Sequence, residues 1–197
     1  MDFFMTWKKV LMEPKKAFAQ MKGKPDLMVA AKHLVVAGVI SGAIVAVIAL
    51  LGLGAMLGAG GAAIGGAVGL MALITTPIAL LIGWMIISIV LLVFAKLLGG
   101  KGDFAKHSYI IAMYLAPLTV LSTIVGLIPI AGGILGALVS LYGLYLLTLG
   151  MMYAHGFDMV KAALVWIIPM ALVIVLVMVM GVALLGALAG GALSGLY

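Results

Sequence analysis

The chain has 197 residues, 67% of them apolar and 8% charged, with a formal net charge of +6 and a mean hydropathy of +1.44. Soluble domains carry about 25% charged residues, so a water-soluble fold is excluded and much of this surface must face lipid. The positive charge comes from lysine alone and cysteine is absent, which points away from nucleic acid, toward anionic lipid headgroups, and away from disulfide or thiolate chemistry.

Residues 1–25 read as an amphipathic interfacial segment. Phe3, Phe4, Trp7, Val10, Leu11, Pro14, Phe18 and Met21 recur at steps of three and four, with Lys8, Lys9, Lys15 and Lys16 between them. That spacing gives one apolar stripe opposed by lysines, as in a helix lying in the headgroup plane with aromatic residues down and lysines toward anionic lipid. The competing expectation is a stripe packed on the ends of the spans. Pro14 should divide the segment, because a proline inside a helix removes a hydrogen bond and clashes with the preceding turn.

Residues 26–197 read as the membrane domain. At roughly 20 apolar residues per crossing, there is room for about five, placed near 33–57, 73–98, 107–127, 134–153 and 160–185. Pro25 and Asp26 open the first helix. The long apolar run starts too late for a cleaved signal peptide, so the N-terminus is expected to be retained. Residues 58–72 are almost all glycine and alanine and read equally as a neutral outer loop or a packed helical continuation. Gly38, Gly42, Gly54, Gly58, Gly61, Gly65 and Gly69 form small-residue spacings that let helices approach closely, within the chain or between copies in a homo-oligomer. Trp84 falls well inside the second span, and Pro117 at mid-depth in the third should kink it. Tyr142 and Tyr145 in the fourth need partners on other helices, while Tyr153 suits the aromatic belt.

Two corners look alike. In the first, Gly99, Gly100 and Gly102 can take the positive φ that ends a helix, and Asp103 can cap the next, with Lys106 three residues on; in the second, Gly156, Asp158 and Lys161 repeat the device. Lysines lie before the first span, at the first corner (Lys96, Lys101, Lys106) and at the second (Lys161), with none in the intervening loops or at the C-terminus. Lysine-rich loops stay in the cytosol, which puts the N-terminus inside and the C-terminus outside. Lys101, Asp103, Lys106, His155, Asp158 and Lys161 are the candidate face for a cytosolic protein or lipid headgroup. His33, His107 and His155 fall at the same end, where a metal or proton-sensing cluster is geometrically conceivable; histidines at helix ends more often serve as hydrogen-bonders, and no metal, cofactor or catalytic pair is expected.

Several of these strings resemble a known family. Leu-Gly-Gly-Lys-Gly-x-Phe (Leu98 to Phe104), the mid-span Pro117, Ile-Pro-x-x-Gly (Ile128 to Gly132) and His-Gly-x-x-x-x-Lys-Ala (His155 to Ala162), after an opening Trp7-x-x-Val10-x-x-x-Pro14-x-x-x-Phe18, are similar to the Yip1-domain family of polytopic membrane proteins. The resemblance implies five membrane spans, a cytosolic N-terminus and no enzymatic activity, with eukaryotic members binding Rab-type GTPases in membrane traffic. Their Asp-Leu-Tyr-Gly-Pro signature is absent; the nearest string is Leu141-Tyr142-Gly143-Leu144-Tyr145. The expected protein is thus all-α: a bundle of five transmembrane helices behind a cytosolic amphipathic helix. It should serve as a membrane scaffold or adaptor, with transport of a small or lipid-like solute as the alternative. Without a long cytosolic N-terminal domain, a prokaryotic plasma membrane is the expected location.

Overall fold

A computed structural model describes residues 2–21, 23, 25–128 and 131–194. Pro129 and Ile130 of the predicted outer turn, and the end of the Gly/Ala tail, lie outside the described residues. The described chain is built of helices: α1 (Phe3–Met12), α2 (Pro14–Met21), α3 (Leu27–Leu97), α4 (Phe104–Val125), α5 (Ala131–His155) and α6 (Met159–Ser194). Four of these, α3 to α6, are long and apolar enough to cross a membrane.

The helix boundaries follow local chemistry. Asp2 accepts from the Met5 N–H and opens α1. Glu13 leaves helical geometry at φ −133°, and Pro14, which has no N–H to lose, starts α2. Asp26 accepts from the N–H groups of Met28 and Val29, so the first long helix begins at Leu27, where Pro25 and Asp26 were expected to open it. Pro117 lies inside α4 without ending it. Thr119 turns its hydroxyl to the Leu115 carbonyl, although the carbonyl freed by a proline is the one four residues before it.

α3 keeps helical geometry except at Gly58, whose φ of 65° and ψ of −145° lie outside the helical region. There the chain folds back. Gly38 lies against Pro77, Gly42 against Ala72 and Leu73, Gly65 against Ala49 and Leu50, and Gly69 against Ala46. In an unbroken helix Gly38 and Pro77 would stand about 58 Å apart at 1.5 Å per residue, so these contacts require an antiparallel hairpin with arms 27–57 and 59–97. The Gly/Ala stretch 58–72 is therefore helix beyond Gly58, and the loop reading is corrected. Most of the small-residue faces are used inside the chain: a Cβ on Gly42 would sit 2.7 Å from the Ala72 carbonyl oxygen, and one on Gly69 2.9 Å from the Ala46 Cα.

α4 is the central helix, buried over most of its surface from His107 to Leu118, with α3, α5 and α1 packed against it. α6 rests on α3 and α5, and α2 on α5. The fully buried large side chains, among them Leu34, Ile110, Met113, Leu146 and Met151, gather toward the end of the bundle that carries the two corners. Farther away, along 44–60, 124–141 and 167–183, large apolar side chains face outward. That pattern suits lipid as the solvent, because hydrocarbon tails impose no cost on exposed leucine or valine.

Candidate functional site

The two corners, far apart in sequence, interlock. Gly99 and Gly156 take positive φ, 85° and 73°, and end α3 and α5. Gly100 and Gly102 do not; they are small because His155 lies against them, and a Cβ on Gly100 would meet its Nδ1 at 2.6 Å. The Gly102 N–H donates to His155 Nδ1 at 3.2 Å and the Lys101 N–H to the His155 carbonyl at 3.3 Å. Phe157 stacks on the imidazole at 5.5 Å. The first corner is thus wrapped around the last residue of α5.

His155 reaches deeper still, its Nε2 standing 2.8 Å from Nδ1 of His107. Because Nδ1 of His155 accepts from Gly102, its proton must be on Nε2, which donates to His107 and leaves the His107 proton on Nε2. That atom is buried and has no protein partner, as are the hydroxyls of Ser88 and Ser108; Trp84 donates its indole N–H to the Ser108 carbonyl at 2.8 Å. His155 is only 2% exposed and His107 not at all. The expectation that these histidines lie on the cytosolic surface is therefore corrected: the apolar faces of α3, α4 and α5 close over them. Among the described residues no three His, Asp or Glu side chains gather closely enough to hold a metal.

The two aspartates fill their predicted capping places. Asp103 accepts from the Lys106 N–H and Asp158 from the Lys161 N–H, each at 2.8 Å. Lys101, Asp103, Asp158 and Lys161 are exposed, and Lys106 is half-buried. Beside them a cavity of about 390 Å³ is lined by Gly23, Lys101, Lys106, Tyr153, Ala154, His155 and Gly156. The site thus has a structural centre, the histidine pair, and a charged rim.

The N-terminal helices follow the competing expectation, a stripe packed against the spans, rather than the interfacial one. Trp7 is 5% exposed and Phe18 fully buried, so neither inserts into lipid. The Trp7 indole donates to His33 Nδ1 at 2.9 Å, the Phe3 ring meets His33 edge-on at 4.7 Å, and His33 is itself buried. Phe4 points outward at 66% exposure; Lys8 is exposed, and Lys9 Nζ donates to the side-chain Oε1 of Gln20 at 2.6 Å. The stripe is real, but protein covers most of it. Tyr142 donates to the Leu11 carbonyl at 2.5 Å, while Phe18 packs against Tyr153. Leu11 of α1 and Phe18 of α2 thus meet tyrosines 11 residues apart on α5, and the turn between the two helices packs along its side. The sequence offered packing on the spans but not its partners, because the partners of a stripe leave no periodicity of their own; the one available signal was the need of Tyr142 for a hydrogen-bond partner.

The family model described as Yip1 domain matches residues 8–191, nearly the whole chain. No curated protein and no solved structure matches it.

Proposed function

The chain belongs to the Yip1-domain family, and from that premise we propose that it is a non-enzymatic membrane scaffold or adaptor that presents its two interlocked corners to cytosolic partners. The observation that carries this reading is the histidine-locked junction. It fixes two loops from distant parts of the chain into one rigid surface, with Lys101, Asp103, Asp158 and Lys161 displayed on it. Rigid presentation of charge is what recognition needs, since pre-ordered groups lose little entropy on binding.

In this reading the chain crosses the membrane five times, because the α3 hairpin counts as two crossings, and all the lysines fall on the side of the corners. The N-terminus is then cytosolic, the C-terminus outside and the host a cell membrane. In cells, a maleimide confined to the cytosol should modify Lys101→Cys and Lys161→Cys but not Gly60→Cys or Gly133→Cys; modification of all four from one side would remove the five-crossing arrangement.

The scaffold role is tested at the caps. Asparagine keeps a capping oxygen and deletes the charge, so Asp103→Asn/Asp158→Asn should melt near the parent, whereas Asp103→Ala should lose about 1 kcal/mol. The asparagine variant should recover fewer cross-linked cytosolic proteins than the parent. Equal recovery would place partner recognition away from the corners.

A further inference from the structure

The ion pair of Glu13 and Lys16, 2.8 Å apart with side chains 51% and 74% exposed, sits at the turn between α1 and α2. Lys16 holds the Glu13 carboxyl below its usual range. Two residues before Glu13, the Leu11 carbonyl accepts from the Tyr142 hydroxyl, and five residues after Glu13 Phe18 packs against Tyr153, so the turn stands about 10 Å along α5 from His155. With α5 across the bilayer and His155 at its cytosolic end, as proposed above and on which this inference rests, that turn stands at a depth normally occupied by hydrocarbon.

An exposed carboxylate there would be costly. A lysine can extend its stem toward the headgroups, but the short Glu13 side chain cannot, and Lys8, Lys15 and Gln20 are exposed on the same two helices. The opposite side of the bundle behaves differently. At the level of Leu144 and Leu147, which share a groove with Ile87 and Val90, Ile86 and Ile89 are 58% and 51% exposed, and apolar exposure continues to Leu97 at 76%. One face is apolar up to the corners, while the other carries charge below them, beside the exposed Phe4, Met5 and Met12.

We infer that the α2 side of α5 borders a hydrated recess in the cytosolic leaflet, into which Lys8, Lys15 and Lys16 draw the headgroups of anionic phospholipids. The charges choose the occupant. Residues 2–21 carry four lysines (Lys8, Lys9, Lys15, Lys16) against Asp2 and Glu13, a net +2, which complements a phosphodiester and would repel the same face of a second copy. The bilayer meets the mismatch between the two faces by thinning locally on the charged side.

The test uses the full chain, which lacks cysteine, in nanodiscs of phosphatidylcholine with or without phosphatidylglycerol, carrying one spin label at Glu13→Cys or Ile86→Cys. A water-soluble nickel chelate should relax the label at 13 several-fold more than the label at 86. The label at 13 should also broaden the phosphorus resonance of phosphatidylglycerol more than that of phosphatidylcholine. Lys8→Gln and Lys15→Gln should each reduce that preference by up to about fivefold, the value of one lysine near an anionic surface.

A label at 13 shielded from the chelate overturns the recess, and if a bifunctional maleimide then joins two copies through Glu13→Cys, the face is a self-interface instead. Water access at 13 without preference for phosphatidylglycerol overturns the headgroup assignment. Equal access at 13 and 86 shows that the proposed placement across the bilayer is itself wrong, and the recess falls with it.

Discussion

Replacing Gly65 by leucine should prevent α3 from closing and leave little monodisperse protein after detergent extraction. A Cβ at this position would stand 2.8 Å from the Leu50 Cα and the Ala49 carbonyl carbon, which are backbone atoms of the opposite arm and cannot swing aside as a side-chain tip can. Overpacking in a flexible core typically costs 1–3 kcal/mol; between two helix backbones the loss should exceed about 3 kcal/mol, because one arm must move bodily. The comparison is Gly60→Leu, which meets nothing within 4 Å and should gain slightly from helix propensity, by less than about 1 kcal/mol. Thermal unfolding followed by size-exclusion chromatography separates the two variants. Parent-like melting of Gly65→Leu would mean that the arms do not pack as described.

The second large effect is expected at His155. Truncation to alanine removes the acceptor of the Gly102 N–H, the partner of His107 and the ring that fills the space under Gly100 and Phe157. Cavity formation and two stranded buried groups together should cost about 2–5 kcal/mol, with protease sensitivity appearing first between Lys96 and Asp103. His155→Asn offers an oxygen to Gly102 but cannot reach His107, so its loss should be about half as large. A double-mutant cycle of His107→Ala and His155→Ala should show coupling of about 1 kcal/mol or more. Additive losses would mean that the imidazole contact contributes nothing, and a loss below about 0.5 kcal/mol in His155→Ala would undo the junction altogether.

The histidine pair also explains the repeated corner. Gly-Gly-Lys-Gly before Asp103 reads in sequence as a flexible turn, yet only Gly99 needs positive φ. Gly100 and Gly102 are glycines because a ring from another helix occupies the space of their side chains. Sequence alone suggests the conformational reason first, since the neighbour that supplies the other is 53 residues away from Gly102.

What the sequence determined by itself is whatever depends on neighbours a few residues away or on composition. Apolar content decided that lipid is the solvent, Asp26, Asp103 and Asp158 decided where helices start, and Pro14 decided where the N-terminal segment breaks. These are local hydrogen-bond and steric rules that each residue obeys wherever the helix is placed. Only the tertiary structure decided which partner each exposed-looking group would meet. Gly38, Gly42, Gly65 and Gly69 close on their own second arm, Trp7 and Phe18 pack on helices, and His33, His107 and His155 are buried. An apolar stripe fits a bilayer and a helix surface equally well, and a small residue suits any close approach. The choice between them rests on which surface the folded chain brings within reach, and that depends on every other helix in the bundle.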